Sequence, residues 1–233
     1  MKRVEWVCEG FDDRDFIGAW LVAEGWRSLR PARGSPPTRV GGRDVKDGTF
    51  AYQRGTELQV VVTPAQTVDQ VSAVARAFVR GATPENPLDA LVLVVDDDAM
   101  VGGIGRVVAA MLGGLREHAG VNSPSLFGWA WSDPAPTSEQ LPSQQTLERV
   151  IVSAMLEAYP DRGPAVAAFL AAEPRGPEPT GKSYLWSLFA KWFPDSRGDG
   201  ALGALWRDPA LRAVLLARMQ ALGARGWLTA VVA

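Results

Sequence analysis

The chain is poor in the side chains that carry most thiol, imidazole and metal chemistry. Cys8 is its only cysteine and His118 its only histidine. One thiol forms neither an intrachain disulfide nor a thiolate metal site, and it suits a reducing compartment. One imidazole excludes a histidine-rich metal centre, and Ser-His-Asp triads and the usual imidazole base drop out with it. The formal net charge is only −2 over 233 residues. That excludes a wholly basic nucleic-acid coat but leaves local basic patches open. No apolar run approaches the roughly 20 residues a membrane helix needs. Met1-Lys2-Arg3 precedes too few apolar residues for a signal peptide, so the expected compartment is the cytoplasm. Chemistry is therefore left to carboxylates, Lys, Arg, backbone and metal.

What is present centres on Leu88-Asp89-Ala90-Leu91-Val92-Leu93-Val94-Val95-Asp96-Asp97-Asp98. Its unbroken aliphatic run reads as a strand buried on both faces, as in the middle of a parallel sheet. Ligands of such sheets gather outside the carboxyl ends of the strands. Three acids there repel one another. Either a hard divalent cation with oxygen ligands, Mg²⁺ or Mn²⁺, offsets them, or one Asp caps the next helix and the others are solvated.

In chain order, Arg3 to Cys8 reads as a strand ending at Glu9-Gly10. Asp12 to Glu24 reads as a helix carrying Phe16, Ile17, Trp20 and Leu21 and closed by Gly25. Arg27 to Gly48 lacks periodicity and is locally basic, so it reads as a surface loop or as a lip for phosphates. Strands follow at Thr49–Gln53 and Glu57–Thr63 around an Arg54-Gly55 turn, then a helix over Gln66–Arg80. After the acids, Met100 to His118 is helical in period, and Ser125 to Ser132 reads as a strand. The expected fold is therefore α/β, a mostly parallel Rossmann-like sheet flanked by helices over 1–132. Residues 133–143 read as a linker, and 144–233 as a helical C-terminal extension packed on that core. Its helices are expected at Leu147–Tyr159, Pro164–Ala172, Lys182–Phe193 and Pro209–Gly223. Gly226 to Val232 reads as an edge strand or a docked tail.

Two acidic turns then stand out, Glu9-Gly10-Phe11-Asp12-Asp13 and Asp96-Asp97-Asp98, both at strand carboxyl ends. Paired acids on adjacent turns are what Mg²⁺-assisted phosphoryl chemistry needs: the ion neutralises developing charge while a separate carboxylate handles a proton. Val7-Cys8-Glu9-Gly10-Phe11-Asp12-Asp13 resembles the hydrophobic strand plus Glu-Gly-x-x-Asp opening of Toprim domains. Leu93-Val94-Val95-Asp96-Asp97-Asp98 resembles their Asp-x-Asp motif. The resemblance spans residues 3–132 and is strongest to small stand-alone Toprim-like proteins related to OLD-type nucleases.

That resemblance implies Glu9 as the general acid/base, Asp96 and Asp98 as ligands of Mg²⁺ (or Mn²⁺), and Asp13 as a secondary acid. It also implies Glu148 and Lys182 as candidates to complete a second metal site and stabilise phosphate charge. The alternative for Asp13 is an exposed acid in the first helical turn favoured by the dipole, and for Glu148 a solvent-facing capping acid. The implied function is a metal-dependent nuclease acting on DNA or RNA, in prokaryotic defence or repair. Its rival is a non-catalytic module binding metal, nucleic acid or a protein. A protein partner or a second copy is left open.

Gly176-Pro177-Glu178-Pro179-Thr180-Gly181-Lys182-Ser183 fits a phosphate-binding P-loop letter for letter. Pro177 and Pro179 remove two backbone donors, Glu178 repels phosphate, and the segment ahead is helix-like where a strand should stand. A nucleotide hydrolase is thus the weakest reading. The nine tryptophans read as core or docking contacts, with base stacking as the functional alternative.

Overall fold

The computed structural model describes residues 1–29, 38–40, 43–45, 48–97, 105–117, 123–133, 141, 144–172, 181–193 and 201–232. Asp98, His118, most of the 133–143 linker and positions 176–180 of the P-loop match lie outside them. The aliphatic run is a strand, as its composition demands. It is β7 (Ala90–Asp96), buried from Ala90 to Val95. It joins β1 (Lys2–Cys8), β2 (Arg27–Ser28), β5 (Phe50–Arg54), β6 (Leu58–Pro64) and β8 (Ser125–Trp131) in a six-stranded sheet of order β2-β5-β6-β1-β7-β8. β1 pairs parallel with both β6 and β7, whereas β5 and β2 pair antiparallel at the edge. The fold class is α/β, a Rossmann-like, mostly parallel sheet with helices around it. Residues 38–40 and 43–45, within the stretch read as structureless, form a separate antiparallel pair, β3 (Thr38–Val40) and β4 (Arg43–Val45).

The chain passes from β1 to β6 on one side, then through α2 (Val68–Gly81) to β7 on the other side of β1. The direction of winding therefore reverses between β1 and β7. That is the switch point where ligands of open α/β sheets collect.

Two compact units divide the chain: Met1–Val95 with Gly105–Trp129 and Gly223–Ala233, and Asp96–Ile104 with Ala130–Leu222. This differs from a split near the linker in two ways. The chain's last segment belongs with the sheet unit, and the acidic segment after Val95 is grouped with the helices. Burial explains the first difference. Gly226 to Val232 forms a helix rather than a strand, α9, whose Trp227 is 2% exposed and meets the Trp6 ring at 5.3 Å and 90°. Trp6 also meets Trp20 of α1 (Phe11–Ala23) and Trp129 of β8, at 5.9 and 5.3 Å. Such aromatic pairs add about 0.5–1.5 kcal/mol each beyond their buried area. The other face of β1 carries Arg3 and Glu5 into the interior, 3.8 Å apart, with the Arg3 guanidinium also donating to Asn86. α1 buries the expected Phe16, Ile17, Trp20 and Leu21, and Gly25 ends it at φ 87°, a conformation only glycine adopts cheaply. α3 (Arg106–Glu117) completes the helices of this unit apart from α9.

The second unit is built on α4 (Leu147–Ala158), nine of whose residues, Leu147 to Met155, are buried in succession. A helix buried all round is a core helix. α6 (Gly181–Trp192) and α8 (Pro209–Ala221) pack against it, with α5 (Gly163–Ala171) against α6 and α7 (Ala201–Arg207) against α8. Arg218 of α8 ties this unit together. It lies 3.5 Å from the buried Asp133 carboxylate and donates to Ser153 Oγ (3.2 Å) and Glu157 Oε2 (2.7 Å). Among the described residues no helix is long and apolar enough to cross a membrane.

Candidate functional site

Strand register brings the acidic turns to their places. Cys8 pairs with Val94 in the parallel β1–β7 ladder, so Glu9 follows β1 level with the last residues of β7, at the carboxyl edge of the sheet and at the switch point. Glu9 is half-buried there. Beyond it Gly10 caps α1, with extended φ and ψ of −116° and 173°. Asp13 reaches back so that its Oδ2 accepts the Gly10 N–H at 2.7 Å. This is the reciprocal half of a capping box, and it gives Asp13, only 5% exposed, a structural role at a helix start. Its burial departs from the exposed first-turn acid of the dipole alternative.

Burial pushes the Cys8 thiol well above its ordinary pKa, and the nearby Asp13 carboxylate adds to the shift. The Sγ faces the Gly10 and Thr63 carbonyls at 3.5 and 3.7 Å. A protonated, buried thiol is no nucleophile. Arg14, absent from the expected set, is 7% exposed. It lies 2.7 Å from Asp15, and its guanidinium stacks 3.8 Å from the Phe50 ring centroid. A cation so placed offsets acidic charge at the start of α1. The only hint in the sequence was an Arg flanked by acids within an otherwise apolar helix.

In the second unit Asp96 Oδ1 accepts the Leu147 N–H at 3.1 Å, at the first turn of α4. The Asp97 N–H donates to the Gln145 carbonyl at 2.9 Å. Thr146 is the formal cap, its Oγ1 accepting from the Arg149 N–H at 3.4 Å. Within the second unit, Asp96 and Asp97 are thus both bound at the start of α4. Glu148 follows, 7% exposed, and its Oε1 lies 3.7 Å from Lys182 Nζ of α6. Arg149, the next residue, is itself buried at 1% exposed. Asp96, Glu148 and Lys182 therefore gather at one helix start, although 86 positions separate the first from the last (182 − 96). Glu9 and Asp13 belong to the sheet unit, and Asp98 lies outside the described residues.

These donors are carboxylate oxygens, the ligand type a hard cation takes. Among the described residues, however, no group of three or more His, Cys, Asp or Glu assembles to hold a metal. Asp13 and Asp96 each commit an oxygen to a backbone N–H, and Glu148 faces an ammonium. The described donors alone do not complete a metal site.

No family model matches this chain, and no curated protein matches it. Among solved structures, the crystal structure of a hypothetical protein from Pyrococcus horikoshii OT3 is similar over 100% of both chains, with a TM-score of 0.61 and 15% sequence identity. At that identity the likeness speaks for the fold alone.

Proposed function

We propose that this protein is a Toprim-like, Mg²⁺- or Mn²⁺-dependent phosphodiesterase that cleaves DNA or RNA in a reducing cytoplasm, in prokaryotic defence or repair. One observation carries the reading. Acid-bearing segments follow the carboxyl ends of two parallel neighbours, β1 and β7, at the reversal of winding in the sheet. In this reading Glu9 exchanges a proton with the reacting oxygen, as its half-buried place at that edge allows. Asp96 and Asp98 hold the metal, and Glu148 and Lys182 supply further charge at the start of α4. When bound, the ion neutralises charge developing on the phosphate and the leaving oxygen.

The test is cleavage of labelled single- and double-stranded DNA and RNA by the purified chain in Mg²⁺, Mn²⁺ or EDTA. Cleavage that needs the metal, and that falls by about 10²–10⁴-fold in Glu9→Gln, is expected. Unchanged cleavage in Glu9→Gln would sink the assignment of that residue, and no cleavage under any condition would sink the nuclease.

A second reading has an observation of its own. The Asp13 and Asp96 carboxylates already accept helix-start N–H groups, which suits a non-catalytic module that binds nucleic acid, metal or a protein. Binding that persists without cleavage would favour it. A P-loop hydrolase has the least support, because the element ahead of Gly181 among the described residues is the helix α5 and not a strand.

A further inference from the structure

All nine tryptophans are described, and eight behave as core or docking residues. Trp6, Trp20, Trp26, Trp129, Trp131, Trp206 and Trp227 are each at most 5% exposed, and Trp192 is half-buried. Trp186 is the exception at 42%. It stands on α6, whose Tyr184, Leu185, Leu188 and Phe189 are buried. The opposite arc of α6, carrying Lys182, Ser183, Trp186, Ala190 and Lys191, is exposed.

Within Gly181–Trp192 there are two lysines and no carboxylate, although the whole chain is net acidic. Lys182 lies one turn before Trp186, about 6 Å along the helix axis and on the same face. It is 66% exposed, even with Glu148 at 3.7 Å. The indole is also held from behind. Its ring lies 5.5 Å from that of buried Phe189, which in turn lies 5.7 Å from Phe193. A fixed, exposed indole beside a cation is the pairing that single-stranded nucleic acid exploits, one base stacking while the neighbouring phosphate meets the charge. A duplex hides its base faces and has no use for the indole.

We propose that the exposed face of α6 is a stacking platform for single-stranded nucleic acid, with Trp186 under a base and Lys182 at a phosphate. The inference rests on the nucleic-acid part of the function proposed above and narrows it to unpaired strands. It does not require cleavage.

The experiment is fluorescence anisotropy of short fluorescein-labelled single strands of DNA and RNA, and of the matching duplexes, with the full-length chain in EDTA. Circular dichroism of each variant checks its fold. Single strands are expected to bind more tightly than duplexes, and more weakly as salt is raised. Trp186→Ala is expected to bind about tenfold more weakly, the loss of one stacked base, with Trp186→Phe recovering most of it. Trp186→Ala binding as tightly as wild type, or duplex preferred over single strand, overturns the proposal. So does a wild-type chain that ignores oligonucleotides but self-associates through Trp186 in sedimentation, since the face would then belong to a protein contact. Cleavage in Mg²⁺ is measured separately. Trp186-dependent binding without cleavage removes the nuclease and keeps the platform, and cleavage with unaltered Trp186→Ala binding does the reverse.

Discussion

Replacing Asp96 in two ways separates a structural duty from a chemical one. Its Oδ1 accepts the Leu147 N–H at 3.1 Å, at the positive end of a helix whose first nine residues are buried. Removing a helix-start acceptor costs about 0.5–2 kcal/mol. Losing the negative charge beside the helix dipole costs about 0.3–1 kcal/mol more. Asp96→Ala loses both contributions and should cost about 2 kcal/mol. Asp96→Asn keeps an acceptor oxygen and loses only the charge. For a chain of this size, about 2–4 °C of Tm follow each kcal/mol. Thermal unfolding followed by circular dichroism should therefore show Asp96→Ala lower by about 4–8 °C and Asp96→Asn by about 1–3 °C. If Asp96 also holds the metal, both variants lose metal-dependent cleavage, including the one that folds almost normally. Equal destabilisation by Asn and Ala, or none by Ala, would refute the idea that this carboxylate holds the start of α4. A fully active Asp96→Asn would refute its role as a ligand.

Two further outcomes follow from packing and from linkage. Gly128→Ala in β8 would place a Cβ 2.7 Å from Val108 Cγ2 and 2.9 Å from the Leu93 carbonyl. A backbone atom cannot swing aside, so urea unfolding should show a loss of about 1–3 kcal/mol, and wild-type stability would contradict it. Tyr159 donates its hydroxyl to Asp208 Oδ2 at 2.6 Å, and that bond raises the phenol pKa above its ordinary value. Because the folded pKa lies above the unfolded one, the stabilisation is whole below about pH 10 and is lost as pH rises through the folded value. Tyr159→Phe should therefore be less stable than wild type at neutral pH and should narrow that gap in alkali. A gap that widens there would show the sign to be wrong.

The elements legible in the sequence were those whose patterns are local. The run Leu91 to Val95 reads as a strand covered on both faces, and β7 is buried from Ala90 to Val95. The α1 stripe and its closing Gly25 were readable because helix period and positive φ are properties of a few neighbouring residues. From these the α/β class followed. The short pair β3–β4 was not legible, because Arg27 to Gly48 has no period to betray it. For the last segment the docked tail held and the edge strand did not: Gly226 to Val232 has strong β-formers, yet as α9 it docks Trp227 against Trp6.

By itself, then, the sequence determined which chemistry was available: carboxylates and cations, with one thiol and one imidazole to spare. It also determined that acids follow two strand-like stretches, one of mixed polarity and one aliphatic. Only the tertiary structure decided what the later acids touch. Asp96 meets the start of α4, 51 positions on (147 − 96), and Glu148 meets Lys182, 34 positions away (182 − 148). It alone separated Trp186 from eight other tryptophans. The physical reason is the same in each case. Period and composition are properties of neighbours along the chain, whereas burial and charge pairing depend on packing between segments far apart in it.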